Sequence, residues 1–183
     1  MKTSITYHRV KTTEELKAIL KLQEENLRHS ISEEQKVKEG FVTLEHDFDI
    51  LKKMNESCAH CIAKNNDKVV GYALSMLQYF KRDIPLLIPM FNEIDKVIKE
   101  QSRSSNYIVM GQVCVDKSVR GKGVFRGLYN YMAEELKSNF DAIITEVDTK
   151  NKRSLNAHKA VGFETLKKYS SNNQLWEIIS LRI

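Results

Sequence analysis

The stretch YIVMGQVCVDKSVRGKGVFRGLYNYMAEELK, residues 107–137, sets out a strand, a turn and a helix in direct succession. Tyr107–Val115 is a mostly apolar run bounded by turn residues, a pattern that predicts a buried central strand. A helix is predicted over Val124–Lys137, because apolar residues recur there three or four positions apart. Ala142–Val147 is a second apolar run, so the three elements predict a compact βαβ unit with a right-handed connection.

The rest of the chain supplies elements on both sides of this unit. Helices are predicted after a cap at Thr12 or Thr13, after Pro89, and over Lys152–Val161. Further strands are predicted at Ile5–Val10, Cys58–Ala63, Val69–Phe80, Phe163–Tyr169 and Gln174–Ile183, the second and third of these forming a hairpin. Residues 30–56 are charged and predict one or two short helices with a mobile loop. This order favours a three-layer α/β domain around one mixed sheet.

Length and composition exclude several classes of protein. A chain of 183 residues with 42% hydrophobic and 29% charged residues fits one soluble globular domain spanning 1–183. No apolar run is long enough to span a bilayer, and the N-terminus lacks a signal-peptide core. Three cysteines favour a reducing cytoplasm over a disulfide framework. Monomer and homodimer both stay open.

Two other functions, nucleic-acid binding and metal or redox chemistry, have weaker support in the sequence. The net charge of +5 suits a polyanionic partner, yet the basic residues are spread along the chain and do not interleave with aromatic residues, so nucleic-acid binding is not expected. Cys58-Ala59-His60-Cys61 looks like half of a metal or redox motif. No second Cys/His pair stands at suitable spacing, so no metal site is predicted, and both cysteines are interpreted as small buried strand residues.

The segment Arg120-Gly121-Lys122-Gly123 is the clearest candidate binding site. Glycines let the backbone turn tightly and approach a ligand closely. A helix begins immediately afterwards, so its unpaired N–H groups and positive dipole end point into the loop. Arg120, Lys122 and Arg126 add positive charge. The loop therefore predicts an anion site suited to a pyrophosphate.

Residues 120–123 differ in spacing from two familiar phosphate-binding loops. A P-loop requires Gly-Lys-Ser/Thr four residues after its first glycine, and here Gly121 leads instead to Gly127-Leu128. A dinucleotide fingerprint requires its glycines directly after a strand, whereas four residues separate Val115 from Arg120. Dinucleotide binding stays a minor alternative, in which Glu146 would contact a ribose.

Two spaced motifs occur in the second half of the chain. Residues 120–125 match Arg/Gln-x-x-Gly-x-Gly/Ala, except that Phe125 replaces the small residue. Residues 151–163 match a helix beginning Asn-x-x-Ala, with a Tyr seven residues after the Asn and Gly-Phe four beyond. Here Ser154 replaces the Ala and His158 the Tyr. In both motifs the chain resembles the GNAT superfamily of acetyl-CoA-dependent N-acetyltransferases, from about residue 107 to the C-terminus.

The resemblance implies a GNAT-like α+β fold with a mostly antiparallel central sheet flanked by helices. It also implies an N-acetyltransferase that moves the acetyl group of acetyl-CoA to a primary amine of a small molecule or peptide, by direct attack. The strand would bind the pantetheine arm, the loop the pyrophosphate, and the later helix the other side of the cofactor. The cofactor-binding residues are then Val113, Cys114, Val115, Arg120, Gly121, Lys122, Gly123, Val124, Phe125, Arg126, Asn151, Ser154 and His158.

The proton-transfer residues are less sharply indicated. In the family the tyrosine at the position of His158 donates a proton to the leaving thiolate, and an imidazolium could do the same. A structural histidine is the alternative. Glu146, near the carboxyl end of its strand, is the first candidate for the base, followed by Asp148. Residues 45–47, Glu-His-Asp, could line the acceptor site.

Two main hypotheses about the function therefore remain open. One is a catalytic N-acetyltransferase, and the other is an acyl-CoA-binding sensor or interaction module without activity. Both predict affinity for acetyl-CoA, and they differ in whether thiol is released when an amine is supplied.

Overall fold

A computed structural model describes residues 4–35 and 40–183. The strands of this part of the chain are β1 (Ile5–Arg9), β2 (Cys61–Asn65), β3 (Lys68–Met76), β4 (Tyr107–Val115), β5 (Ala142–Asp148), β6 (Glu164–Ser171) and β7 (Gln174–Arg182). The α-helices whose full length lies within the described residues are α1 (Thr13–Glu24), α2 (Phe48–Ser57), α3 (Ile88–Glu100), α4 (Val124–Leu136) and α5 (Lys152–Val161).

These strands form one seven-stranded sheet in the order β1-β2-β3-β4-β5-β7-β6. Only β4 and β5 run parallel, while every other neighbouring pair is antiparallel. The parallel pair is joined by α4, as the βαβ pattern of the sequence predicts. The predicted mixed, mostly antiparallel sheet is confirmed.

Helices cover both faces of the sheet. On one face α1, α2 and α3 bury residues such as Ile19, Leu51 and Phe91 in one apolar cluster. On the other face Leu128 and Met132 of α4 belong to a second cluster. Burial of this kind contributes roughly 1.5–3 kcal/mol for each large apolar side chain. The three-layer arrangement is therefore as the sequence predicts.

The pairing between β4 and β5 is short, and this creates the main feature of the sheet. Pairing covers Tyr107–Val109 against Ala142–Ile144, although β4 continues to Val115 and β5 to Asp148. The register between β3 and β4 also shifts, so that two residues of β4, Gly111 and Gln112, lie between successive paired positions. A bulge of this kind bends a strand. The strands consequently diverge and leave a cleft at the carboxyl end of β4.

Several predicted boundaries are wrong at their ends. Cys58 was expected in a strand, but it is the C-terminal cap of α2, because its N–H bonds to the carbonyl of Met54. Phe80 was expected in β3, but it lies in a 3₁₀ turn after Leu77. Leu27, expected on the first helix, lies beyond α1 and forms an isolated parallel bridge with Val42.

Within the described part of the charged segment at 30–56, residues 33–35 are helical, and α2 follows with its N-terminus capped by Asp47. Residues 36–39 lie outside the described residues. Within residues 4–35 and 40–183, no helix has both the length and the apolar character needed to cross a membrane. Over the same ranges, no three His, Cys, Asp or Glu side chains are grouped as metal ligands would be.

Candidate functional site

Two adjoining cavities occupy the cleft between β4 and β5. The larger cavity has a volume of about 330 Å³ and extends from β4 over the loop before α4. The smaller cavity, about 170 Å³, lies between β5 and the end of the sheet formed by β6 and β7. The two cavities share five lining residues, which are Phe41, Val42, Val113, Asn151 and Ser154. A ligand in one cavity can therefore reach a ligand in the other.

The loop before α4 presents unpaired backbone donors to the larger cavity. Gly121 and Gly123 have φ angles of +75° and +80°, in the left-handed region that favours glycine. A Cβ at either position would have no atom within 4 Å, so the space beside them is open. The first intrahelical bond of α4 runs from Gly127 N–H to Gly123. The N–H groups of residues 124–126 thus remain available for an anion.

The basic side chains of this loop have different roles. Arg120 lines the larger cavity and donates to the carbonyl of Val115 at 2.9 Å and to Asn26 Oδ1 at 2.6 Å. It therefore fixes the loop between β4 and the end of α1. Arg126 also lines the cavity. Lys122 was predicted to bind the cofactor, but it is absent from the lining, and its Nζ donates to the carbonyl of Ser118 at 2.9 Å.

The structure places eleven of the other predicted cofactor residues along the larger cavity. Those lining the larger cavity are Val113, Cys114, Val115, Arg120, Gly121, Gly123, Val124, Phe125, Arg126, Asn151 and Ser154. His158 lines the smaller cavity instead.

Asn151 connects α5 to residues 40–44, which cross the cleft. Its Oδ1 accepts from Ser154 N–H at 3.1 Å, which caps the helix, and its Nδ2 donates to the carbonyl of Phe41 at 3.2 Å. Residues 40–44 are called the strap below. Its other end is held by Gln112, whose Nε2 donates to the carbonyl of Leu44 at 2.6 Å. The strap therefore lies where the two cavities meet.

His158 is buried, with 1% of its surface exposed. Its Nδ1 lies 2.8 Å from the carbonyl of Ser154, which can only accept, so Nδ1 carries the proton. Its Nε2 then accepts from the Tyr129 hydroxyl at 2.7 Å. Burial lowers the pKa of His158 to about 4. The predicted imidazolium is not favoured here. The ring is desolvated, and the neutral form already uses both nitrogens in hydrogen bonds, one as a donor and one as an acceptor.

Phe125 does not block the cleft. Its ring packs edge-on against His158, at 5.0 Å between centroids, and at a tilt against Tyr129, at 5.1 Å. Phe163 completes the same aromatic group. The sequence predicts that Phe125 points into the core, and the structure shows it half-buried, with the ring forming part of the cavity wall.

Glu146 is the ionisable group best placed for acid–base chemistry. It lies on β5, lines the smaller cavity, and accepts a hydrogen bond on Oε2 from the Tyr169 hydroxyl. Burial raises its pKa to about 7, and the Tyr169 bond opposes that rise. A carboxyl group with this pKa is half-ionised near neutral pH, as a general base requires. Asp148, the second candidate, is buried and accepts from the backbone N–H of Lys150 at 2.8 Å.

Cys114 lines the larger cavity but is poorly suited to act as a nucleophile. Burial raises the pKa of its thiol to about 12. The thiolate is the reactive form of cysteine, and with a pKa this high Cys114 is almost entirely a neutral thiol at neutral pH. A mechanism without a covalent cysteine intermediate therefore fits this site.

Sequence reasoning missed several lining residues. Tyr169 and Trp176, which are cross-strand partners on β6 and β7, line the smaller cavity together with Gln112 and Leu86. Only the bulge in β4 and the antiparallel return of β7 bring these residues together, and no local motif marks them. Of residues 45–47, none lines either cavity: His46 is buried and bonds through Nδ1 to Gln23 Oε1 at 2.8 Å.

Sequence comparison identifies a family. The model of the acetyltransferase (GNAT) family matches residues 18–163, a range that includes the strap, the divergent strands and α5. No curated protein matches the chain by sequence.

Known structures share the fold over nearly the whole chain. NAA60 of Arabidopsis thaliana, solved in complex with acetyl-CoA, has a TM-score of 0.67 at 10% identity, covering 98% of this chain and 100% of that one. YncA of Salmonella typhimurium, a putative acetyltransferase solved with its cofactor acetyl-CoA, has a TM-score of 0.63 at 14% identity, covering 97% and 93%. The NatC complex bound to Gag peptide and CoA has a TM-score of 0.65 at 16% identity, covering 98% and 99%. At these identities the similarity establishes the fold.

Proposed function

Since the chain belongs to the acetyltransferase (GNAT) family, we propose that it transfers the acetyl group of acetyl-CoA to a primary amine. The observation that carries this proposal is the junction of the two cavities. The larger cavity ends in an anion-binding loop, and the smaller one contains a carboxyl group with a pKa of about 7. One cavity thus suits the cofactor and the other the amine.

The larger cavity has the features that acetyl-CoA requires. The N–H groups at the start of α4 face open space beside Gly121 and Gly123, where a pyrophosphate would be held. The side of β4 that faces β5 is not paired with it beyond Val109, and around residues 113–115 it would hydrogen-bond the pantetheine arm as an added strand does. Acetyl-CoA supplies an activated acetyl group, and a backbone N–H of this edge would polarise its carbonyl.

The smaller cavity would bind the amine and deprotonate it. Alkylamines are protonated at neutral pH, so a base must remove a proton before the nitrogen can attack. Glu146 would take this proton on Oε1, because Oε2 already accepts from Tyr169. The nitrogen would then attack the acetyl group directly, where the cavities meet beside Asn151 and Ser154.

His158 would assist the transfer by position rather than by charge. Its bond to the carbonyl of Ser154 lies within one turn of α5, and Ser154 Oγ is 3.3 Å from Nδ1. Ser154 lines both cavities. The neutral ring therefore holds Ser154 next to the reacting groups and connects it to Tyr129. The nitrogen loses a second proton once it has attacked, and this proton would pass to the leaving thiolate through the Ser154 hydroxyl or through water.

An assay of thiol release tests the proposal. Acetyl-CoA is incubated with the protein and a panel of primary amines, and free CoA is measured together with the acetylated amine. We expect release that depends on both the protein and the amine. Tight acetyl-CoA binding without turnover on any amine would instead favour the sensor or interaction module.

Gly123→Ala is expected to weaken acetyl-CoA binding by about tenfold or more, roughly 1.4 kcal/mol. The added methyl group projects into the open space beside the loop and forces a φ of +80° on an alanine. Calorimetric titration of acetyl-CoA measures the effect. Gly162→Ala is the matched control, since Gly162 has a φ of +120° at the end of α5 and lines neither cavity. An equal loss of affinity in both variants would contradict a direct role for the loop.

His158→Phe is expected to lower the free energy of unfolding by about 1–3 kcal/mol, because the buried Tyr129 hydroxyl loses its acceptor. The double variant His158→Phe/Tyr129→Phe removes both partners and should recover most of that stability. Denaturant unfolding and thiol release are measured for both variants. If turnover stays low in the stabilised double variant, His158 acts in the transfer itself. Full recovery of turnover would leave it a purely structural role.

A further inference from the structure

The smaller cavity differs from a general amine site in its charge and its walls. Among residues 4–35 and 40–183, no lysine or arginine lines it. Its two charged groups are the carboxyls of Glu146 and Asp148, which lie two residues apart on β5. A substrate carboxylate placed here would meet these groups without a cation to balance it, and like charges brought together cost several kcal/mol.

The two acidic groups are not equivalent. Both oxygens of Asp148 accept hydrogen bonds from the protein, one from Lys150 N–H at 2.8 Å and one from Gln174 Nε2 at 3.2 Å. Glu146 uses Oε2 for Tyr169, and the described part of the chain supplies no partner for Oε1. The cavity therefore has one free carboxylate position, which suits a single ammonium group better than a polyamine.

The rest of the cavity wall is apolar. Met76, Met90 and Met110 are each at most 3% exposed and form part of the lining. Methionine side chains adapt to apolar and aromatic ligands. Trp176 and Tyr169 add aromatic surface, and their rings can also contact an ammonium group.

The volume of the smaller cavity and the residues at its rim limit the size and polarity of the ligand. A cavity of about 170 Å³ is close to the ~150 Å³ apolar cavity that holds benzene in another protein. At the rim Leu86 is 59% exposed and adds apolar surface beside the opening of the cavity. One ring or one branched aliphatic group fits this space.

We infer that the acceptor is a primary amine joined by a short aliphatic link to a single apolar ring or branched chain, with no carboxylate beside the amine. Phenethylamine represents this class. The inference rests on the proposed function for its catalytic readout, but binding can be measured without turnover. Amino acids, polyamines and peptide N-termini are the competing acceptor classes.

The test compares phenethylamine with phenylalanine, phenylalaninamide, spermidine and the dipeptide Phe-Gly. Phenylalanine differs from phenethylamine only by its carboxylate, and phenylalaninamide replaces that charge with a neutral group. We expect kcat/KM for phenethylamine to exceed that for phenylalanine by about 100-fold, with phenylalaninamide in between. A higher kcat/KM for phenylalanine, spermidine or Phe-Gly would overturn the inference while leaving acetyl transfer in place.

A thermal-shift measurement in the presence of CoA separates this inference from the proposed function. If no amine is acetylated but phenethylamine raises Tm and phenylalanine does not, the ligand class stands and the catalytic proposal fails. If neither turnover nor a Tm shift favours phenethylamine, the inference is overturned.

Leu86→Lys provides an independent check at the rim. The new cation should lower the preference for phenethylamine over phenylalanine by about tenfold, because it can pair with the carboxylate. Leu86→Gln is the matched neutral variant and should leave the preference within about threefold of the parent. An unchanged preference in Leu86→Lys would contradict the location of the acceptor.

Discussion

At pH 8, Glu146→Gln is expected to lower kcat for amine acetylation by ~100-fold or more, the usual contribution of a general base. The same variant should raise the free energy of unfolding. Burial raises the pKa of Glu146 to about 7, well above the usual value of a glutamate carboxyl. The folded protein therefore favours the protonated carboxyl, and above pH 7 it must hold a buried negative charge. Glutamine removes that charge while its carbonyl still accepts from Tyr169.

The stability difference between Glu146→Gln and the parent depends on pH. Stability from a group with a raised pKa is fully present below the unfolded value and is lost as pH rises through the folded value. Glu146→Gln should therefore match the parent near pH 4.5 and exceed it by about 3 kcal/mol above pH 8. Urea unfolding of both proteins at these pH values measures the difference. Loss of activity together with loss of stability at pH 8 would contradict the account.

Tyr169→Phe is the matched control for the catalytic part. The Tyr169 hydroxyl lowers the pKa of Glu146, so its removal should move the inflection of the pH–rate profile to higher pH. In the parent, the rate should rise with pH up to about 7 and then level off. An inflection that stays in place in Tyr169→Phe would mean that another group titrates.

Stability should fall steeply as pH decreases from 6.5 to 4, because three histidines are buried in neutral form. Burial lowers the pKa of His46 and His158 to about 4 and that of His60 to about 3. His60 bonds through Nε2 to the carbonyl of Leu51 and accepts from Ser75 N–H on Nδ1, a pattern that only the neutral ring can satisfy. Stability from a lowered pKa is present above the unfolded value and lost as pH falls toward the folded one.

Each of these histidines should remove about 3 kcal/mol of stability by pH 4. Glu146 has the opposite effect on the pH dependence of stability. As pH falls, its carboxyl binds a proton in the folded state at a higher pH than in the unfolded state. Near pH 5.5 the unfolded parent should therefore bind about two more protons than the folded parent, and unfolded Glu146→Gln about three more. The slope of unfolding free energy against pH measures these numbers. A flat profile between pH 6.5 and 5 would contradict the buried neutral histidines.

The sequence predicts the elements that have a local cause. β4 and α5 are found with the predicted bounds, Tyr107–Val115 and Lys152–Val161, because one is a run of apolar residues and the other begins at a capping Asn151. The loop at 120–123 is also local, since glycine and a helix start suffice to define it. These are the parts of the cofactor site that a motif can describe.

The acceptor side has no comparable signal. Tyr169 bonds to Glu146, and Trp176 lies opposite Asp148, only because β7 inserts between β5 and β6. The protonation state of His158 depends on Tyr129, 29 positions earlier in the chain, and on burial beneath Phe125. Spacing could place His158 on the correct face of α5, but only packing decides that its ring is neutral. The sequence therefore names Glu146 and His158 as candidates for proton transfer, but their burial and hydrogen-bond partners are tertiary properties that only the structure gives.

A single-turnover experiment tests the central claim most directly. Excess protein is mixed with acetyl-CoA and an amine such as phenethylamine, quenched at intervals, and analysed by mass spectrometry for free CoA, acetylated amine and acetylated protein. The account predicts that acetylated amine appears mole for mole with CoA, without any acetylated protein, and that both appear much more slowly in Glu146→Gln. Acetyl groups that accumulate on the protein, or that remain on CoA with every amine supplied, would contradict it.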